Sequence, residues 1–179
     1  MIKNRDVFIV CCEGEAEINL FGFLKSNFYL KNNKTLQEKN IKGFNSLSLF
    51  QRKSAKIIKG EEISPRKKNL KFNKRIHFLF LIDKDLKDSD MIGRYVTKEG
   101  HFVQFCNPNT EAILLGLYGV NIVRNINEKD FRKRCKDEFE KEFKKSAHKM
   151  KDAEFLKLIP NELIFKNTFP ELHRIFNLD

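Results

Sequence analysis

The 179-residue sequence has no tryptophan, only four prolines and only eight glycines. So little proline and glycine excludes collagen-like and low-complexity chains, while 41% hydrophobic residues suffice for a globular core. No apolar run approaches the ~18–20 residues that a membrane span needs, and the run near the N-terminus is too short for the core of a signal peptide. We therefore expect a cytoplasmic protein.

Cysteine and histidine are also scarce, with four of each. Neither set has the spacing of a zinc site. The cysteines are predicted to be small buried side chains in a reducing compartment, and Cys11 and Cys12 should face opposite sides of a strand.

Positive charge is what the sequence has in excess. Lysine and arginine number 35 against 24 acidic residues, a formal net charge of +11. Residues 51–76 hold ten basic and two acidic residues, so this stretch carries most of the excess. Such clustering favours a polyanionic partner, nucleic acid first and an anionic membrane second. A solvated lysine-rich surface, typical of an A+T-rich genome, explains the same composition.

Hydrophobic periodicity predicts strands that alternate with helices. Continuous β-branched and aromatic runs predict strands at 7–12, 76–82 and 102–106. Apolar residues at three- and four-residue spacing predict helices at about 15–30, 47–58, 91–95, 110–118 and 128–150, and a last one with Thr168 as N-cap. Residues 31–46 show no clear period, and 59–75 are predicted to form an exposed loop. This alternation indicates an α/β fold with a mainly parallel sheet.

Polar residues follow each predicted strand. Asp83 and Asp85 come directly after the second, and Glu13 follows the first. Ligands of parallel α/β sheets bind outside the carboxyl ends of the strands. Two close carboxylates repel unless a proton or cation joins them, and Mg²⁺ or Mn²⁺ prefers oxygen ligands. The pattern predicts a metal-carboxylate site suited to phosphodiester chemistry, although a single strand-end acid is more often a cap or turn residue.

Three short motifs in this order resemble the RloB-like family of the Toprim superfamily. They are Cys12-Glu13-Gly14-Glu15-Ala16-Glu17, Asp83-Lys84-Asp85 and Asn107-Pro108-Asn109-Thr110-Glu111. The resemblance spans 7–118 and implies a Toprim-like (Rossmann-like) three-layer sandwich with a mainly parallel central sheet and helices on both faces. The chain departs from the family at Thr110, where a phenylalanine is usual, so the role of the third motif stays open.

The resemblance also implies a Mg²⁺-dependent (or Mn²⁺-dependent) site. Asp83 and Asp85 would hold the metal, and Glu13 would be a ligand or the general acid or base. Glu17 and Glu111 are further candidate ligands. Both also suit the first turn of a helix, where the dipole favours acids.

Two groups of basic residues are candidates for contacts to nucleic acid. Lys84 and Lys87 follow the second motif-bearing strand, where they could meet a phosphate near the metal. A second cluster leads into the opposite end of that strand and could follow a nucleic-acid backbone away from the metal. It comprises Arg66, Lys67, Lys68, Lys71, Lys74 and Arg75. A solvated loop explains any one of these residues equally well.

Together these features predict a Mg²⁺-dependent nuclease or related phosphodiesterase acting on DNA or RNA, which the resemblance associates with bacterial restriction or abortive infection. The alternative is a non-catalytic nucleic-acid-binding or effector subunit that works with a partner such as an ATPase, since no Gly-rich ATPase loop occurs in this chain. We expect one domain over 1–179, with a motif-bearing core at 7–118 and a C-terminal helical part at 128–179.

Overall fold

The computed structural model describes residues 5–29, 35–40, 46–63, 74–123 and 130–177. Within these ranges it shows four strands, β1 (Arg5–Cys12), β2 (Thr35–Asn40), β3 (Lys74–Asp83) and β4 (Phe102–Cys106). They form one sheet in the order β2-β1-β3-β4, and every neighbouring pair is parallel. The predicted α/β class and parallel sheet are confirmed.

Helices connect the strands and follow the last one. The first four are α1 (Glu15–Phe28), α2 (Leu47–Ile63), α3 (Ser89–Lys98) and α4 (Thr110–Leu117). The C-terminal part contains α5 (Phe131–Phe143), a 3-10 turn (Ala147–Lys149), α6 (Asp152–Leu158), α7 (Glu162–Thr168) and α8 (Pro170–Phe176). No helix in the described ranges is both long and apolar enough to cross a membrane.

Adjacent residues of the central strands face two different layers of helices. Cys12 lies in a core formed with α1, α4 and the C-terminal helices, whereas Cys11 lies in a second core with α2 and α3. Both thiols are buried, as strand alternation predicts. Helices therefore cover both faces of the parallel sheet, an arrangement compatible with a Rossmann-like sandwich.

Phenylalanine fills much of the first core. Phe23 of α1 stacks on Phe155 of α6 with ring centroids 5.4 Å apart, and Phe139 of α5 is fully buried in the same cluster. Burying one such side chain contributes about 1.5–3 kcal/mol. The C-terminal helices thus share a core with α1 and hold α5 beside the carboxyl end of the sheet.

β2 was not predicted from the hydrophobic periodicity of the sequence. It is an edge strand that pairs only with β1 among the described strands. Of the side chains described at 36–39, Leu36 is buried, while Gln37 and Glu38 are exposed. A polar edge strand lacks the apolar alternation on which strand prediction depends.

Three helix boundaries also differ from the prediction. α2 continues through Ile63, into the stretch predicted as a loop. α5 ends at Phe143, because Lys144 adopts a left-handed backbone with φ 56°. Thr168 is wrong as an N-cap: it is the last residue of α7, and Phe169 occupies the position before α8.

Candidate active site

A cleft of about 540 Å³ opens at the carboxyl ends of the strands. Its walls come from the turn after β1, the end of β3, the start of α4, and α5 with the 3-10 turn. The acidic side chains that line it are Glu13, Glu15, Glu17, Asp83, Glu111 and Glu140, and the basic or imidazole ones are Arg132, Lys136 and His148. The cleft thus brings together four of the five metal-ligand candidates, all except Asp85.

Gly14 allows the Glu17 carboxylate to lie close to the backbone of the turn after β1. It is the N-cap of α1 and has extended backbone (φ −147°, ψ −176°), which any residue adopts. A Cβ atom on Gly14, however, would lie 3.1 Å from Glu17 Oε2. Glycine therefore leaves room for the Glu17 carboxylate, which lies buried against the turn.

Asp83, the last residue of β3, is fixed from two sides. Only 9% of its side chain is exposed. Oδ1 accepts hydrogen bonds from the Thr110 backbone N–H at 3.2 Å and the Thr110 hydroxyl at 3.4 Å. Oδ2 accepts one from Arg132 Nη2 at 2.7 Å. The start of α4 and the guanidinium together orient this carboxylate.

Asp85 is held by the asparagine of the third motif. Its side chain is 1% exposed, and Oδ2 accepts a hydrogen bond from Asn109 Nδ2 at 2.9 Å. Asn109 Oδ1 in turn accepts one from the Ala112 N–H at 2.9 Å and so caps α4. Asn109 therefore links the helix start to the second aspartate, a role that sequence analysis left open.

Arg132, from the first turn of α5, joins the two aspartates. While Nη2 contacts Asp83, Nε lies 3.0 Å from Asp85 Oδ1 in an ion pair. Burial lowers the pKa of Arg132, but the negative charges of Asp83, Asp85 and Glu13, with the hydrogen bond to Asp83, together raise it by more. Sequence analysis missed this residue. Its position one turn before Lys136 on a predicted helix shows that the two basic residues share a face, but no spacing in the sequence relates Arg132 to Asp83 or Asp85.

Two acids of the cleft, Asp83 and Glu111, bind protons more tightly than exposed acids do. Burial raises the pKa of Asp83 well above its usual value, and the charge of Glu17 adds to this, against the opposing effect of Arg132. Burial likewise raises the pKa of Glu111, again with a contribution from Glu17 and against the charge of Lys136. A further cation in the cleft would relieve this repulsion.

The donor atoms of the cleft suit a hard divalent cation. They are carboxylate oxygens, and Asp85 lies next to them, outside the cleft lining. Its buried Oδ1 has an ion-pair contact with Arg132 Nε at 3.0 Å but accepts no hydrogen bond among the described residues. Those residues nevertheless include no group of three carboxylates, imidazoles or thiolates arranged to hold a metal ion. In this arrangement Arg132 is the cation that Asp83 and Asp85 share.

Lys84 does not line the cleft, and its predicted contact with nucleic acid stays a prediction. Its ammonium pairs with Asp90 of α3 and lies 4.4 Å from the centre of the Phe105 ring, which packs in the second core. The cause is the alternation of side chains at the end of the strand. Asp83 contacts α4 and α5 on one face of the sheet, so Lys84 lies on the other face, beside α3. Lys87 is exposed and does not line the cleft either.

The basic cluster before β3 falls mostly outside the described residues. This applies to Arg66, Lys67, Lys68 and Lys71, and to the side chains of Lys74 and Arg75. The backbone of β3 begins at Lys74 and ends at Asp83. At about 3.3 Å per residue, these ends lie about 30 Å apart.

The segment after α5 completes the cleft. Ser146 and His148 line it, and Asn19 of α1 donates a hydrogen bond from Nδ2 to the His148 carbonyl oxygen at 2.5 Å. Neither lining residue was predicted, because an isolated serine or histidine without a partner motif carries no signal in the sequence.

Comparisons with known proteins identify no relative of this chain. No protein-family model matches the chain. No curated protein and no solved structure matches it either. The chemistry of the cleft is therefore to be inferred from its own side chains.

Proposed function

We propose that the protein is a Mg²⁺- or Mn²⁺-dependent phosphodiesterase that cleaves DNA or RNA in this cleft. One observation carries the proposal: carboxylates from the turn after β1, the end of β3 and the start of α4 line the same cleft as Arg132 and Lys136 of α5. Metal-assisted phosphodiester hydrolysis needs both kinds of group at one place, oxygen ligands for a cation and positive charge for the phosphate. The resemblance to the RloB-like Toprim family supports the same activity.

Asp83 and Asp85 are the residues that would hold the metal, with Glu13, Glu17 or Glu111 as further ligands. The bound metal would supply stabilisation of negative charge on the scissile phosphate. The donor chemistry fits Mg²⁺, since all of these atoms are hard oxygens. One of them, Asp85 Oδ1, accepts no hydrogen bond among the described residues and has only the ion-pair contact with Arg132 there.

The side chains of the chain itself would position the phosphate and move the proton. Thr110 and Asn109 keep the two aspartates oriented through the hydrogen bonds described above. Lys136 and Arg132 would bind non-bridging phosphate oxygens. Glu13, at the end of β1, would accept a proton from the attacking water or return one to the leaving oxygen.

Nuclease assays on single- and double-stranded DNA and RNA, with Mg²⁺, with Mn²⁺ and with a chelator, test the proposal. Asp83→Asn and Glu13→Gln should each lower the rate by about 100-fold or more, because they remove a charge with little change in volume. Asp137→Asn removes an acid from the exposed part of α5 and should leave the rate unchanged. Metal-dependent cleavage that survives Asp83→Asn, Asp85→Asn and Glu13→Gln would refute the proposal.

One observation favours the alternative, a nucleic-acid-binding or effector subunit that acts with a partner such as an ATPase. Arg132 already balances part of the charge of Asp83 and Asp85 without a metal. This alternative predicts salt-dependent binding of nucleic acid. It also predicts no cleavage of nucleic acid with either Mg²⁺ or Mn²⁺ unless a partner protein is added.

We further propose, on the resemblance, that the activity serves bacterial defence. Phage plating on cells that express the wild type or Asp83→Asn tests this. Fewer plaques with the wild type alone are expected, and equal plating would contradict it.

A further inference from the structure

Arg132 is the most exposed member of the Arg132–Asp83–Asp85 group. It contacts both aspartates, at 2.7 and 3.0 Å, yet 41% of its side chain is exposed. The aspartates are 9% and 1% exposed. Each also accepts a hydrogen bond from the start of α4, from Thr110 or from Asn109. The carboxylates would therefore stay in place if the guanidinium left.

One guanidinium does not neutralise these acids. Two ionised aspartates and one arginine leave a net negative charge, and the carboxylates of Glu17 and Glu111 line the same cleft as Asp83. A divalent ion would neutralise the aspartate pair and could bind Asp85 Oδ1, whose contact with Arg132 is an ion pair at 3.0 Å and not a hydrogen bond. Because Arg132 lies against both carboxylates, such an ion can join them only after the guanidinium has moved.

The cleft offers the guanidinium a second place to bind. Arg132 and Lys136 lie one helical turn apart on α5, and both line the cleft. A rotation of the side chain, with no movement of the helix, would turn its donors from the carboxylates to an anion in the cleft. The planar fork of an arginine pairs with two phosphate oxygens as well as it does with carboxylate oxygens.

We propose that Arg132 exchanges partners: a divalent cation displaces it from Asp83 and Asp85, and the released guanidinium binds the phosphodiester of the substrate. This rests on the proposed function and adds that metal and substrate bind cooperatively. An anion that attracts Arg132 frees the aspartates for metal, and by linkage bound metal frees Arg132 for the anion.

Mn²⁺ binding to the whole chain, measured by the electron paramagnetic resonance of the free ion, tests the competition. Arg132→Met removes the guanidinium and keeps the aliphatic stem, so it should tighten Mn²⁺ binding by about tenfold, within the 5–150-fold span usual for coupled sites. Lys136→Met is the matched control, because it removes a positive charge from the same helix and cleft without touching the aspartates. It should change Mn²⁺ binding by about twofold at most, the effect of a screened charge.

A second measurement uses the wild type and does not depend on how well Arg132→Met folds. In protein labelled with ¹⁵N-arginine, the Nε–H resonance of Arg132 is identified by its absence from Arg132→Lys. Saturating Mg²⁺ should shift this resonance and speed its exchange with water, since Nε leaves Asp85. A resonance that stays unchanged while calorimetry shows Mg²⁺ bound would overturn the exchange.

The cooperativity is tested with dimethyl phosphate, a minimal phosphodiester. It should tighten Mn²⁺ binding to the wild type severalfold and have no such effect on Arg132→Met. Equal effects on both proteins would contradict the second half of the proposal.

Failure of this inference differs from failure of the proposed function. If the wild type binds Mn²⁺ and Arg132→Met binds it equally or more weakly, the exchange is wrong and the metal-dependent activity stands. If neither protein binds Mn²⁺ or Mg²⁺, both the exchange of Arg132 and the proposed metal-dependent function are wrong.

Discussion

At the scale of single residues, Asn109 supports two features at once. Its Nδ2 donates to Asp85, and its Oδ1 caps α4. Asn109→Ala removes both bonds and should lower the free energy of unfolding by about 2–3 kcal/mol, about 1 from the cap and the rest from a buried carboxylate that loses its donor. Urea unfolding measures this loss.

The chain provides a matched control at the start of α7. Asn161 Oδ1 accepts a hydrogen bond from the Ile164 N–H at 3.0 Å, and its side chain is exposed and distant from the cleft residues in sequence. Asn161→Ala should cost about 1 kcal/mol, the cap alone. If both variants lose the same amount, the bond between Asn109 and Asp85 contributes no stability.

Glu111 gives a prediction for the dependence of stability on pH. Burial, with the charge of Glu17, raises the pKa of Glu111 in the folded protein. The folded state then holds this proton more tightly than the unfolded state, so the associated stability is present at low pH and is lost as pH rises through the folded pKa. In the absence of divalent metal, Glu111→Gln should therefore raise the melting temperature at pH 7. It should also reduce the decrease of the melting temperature with rising pH above the ordinary pKa of a glutamate.

Glu154 serves as a control because its pKa is shifted in the opposite direction. The hydrogen bond from Lys145 lowers the pKa of Glu154, so its stabilisation is present at neutral pH and is lost as pH falls through the folded pKa. Glu154→Gln should lower the melting temperature at pH 7 and have less effect in acid. A Glu111→Gln variant that behaves like Glu154→Gln would contradict the sign given for Glu111.

At the scale of secondary structure, α5 places Arg132 through its apolar face. Phe139 is fully buried, lines the cleft and stacks on Phe143 with centroids 4.4 Å apart. Phe139→Ala should lower the free energy of unfolding by about 3–5 kcal/mol, the usual cost of removing a buried aromatic ring. Phe143→Ala, at a half-buried position on the same helix, should cost less than half as much in the same denaturation experiment. Similar losses for the two variants would show that burial of Phe139 in the core is not what holds α5 in place.

The elements also show why the sequence predicts part of this architecture. β1, β3 and β4 are apolar runs with polar ends, so their type and the convergence of Glu13 and Asp83 follow from local pattern and the geometry of parallel sheets. Polar β2 has no such pattern. Arg132 meets Asp83 across 49 residues, through the packing of α5 on the shared core, which no spacing in the sequence encodes.

At the scale of the whole molecule, positive charge and the acidic cleft have separate places in the chain. The excess of +11 is concentrated in residues 51–76, whereas four carboxylates of the predicted site converge at the far end of β3. A polyanion attracted by the basic stretch would bring phosphates to a cleft that itself repels them until a cation is present. The two regions should therefore be separable by substitution.

The triple variant Lys67→Gln, Lys68→Gln, Lys71→Gln tests this separation. If each lysine binds a phosphate, the slope of log K against log salt for duplex DNA should fall by about 2–3, at about 0.9 for each phosphate that is no longer neutralised. Fluorescence anisotropy across a salt series, with metal chelated, measures the slope, and Mn²⁺ binding should not change. The matched triple of exposed lysines, Lys149→Gln, Lys157→Gln, Lys166→Gln, removes the same charge from the C-terminal part. An equal fall in that protein would mean that overall charge, and not the stretch before β3, holds the nucleic acid.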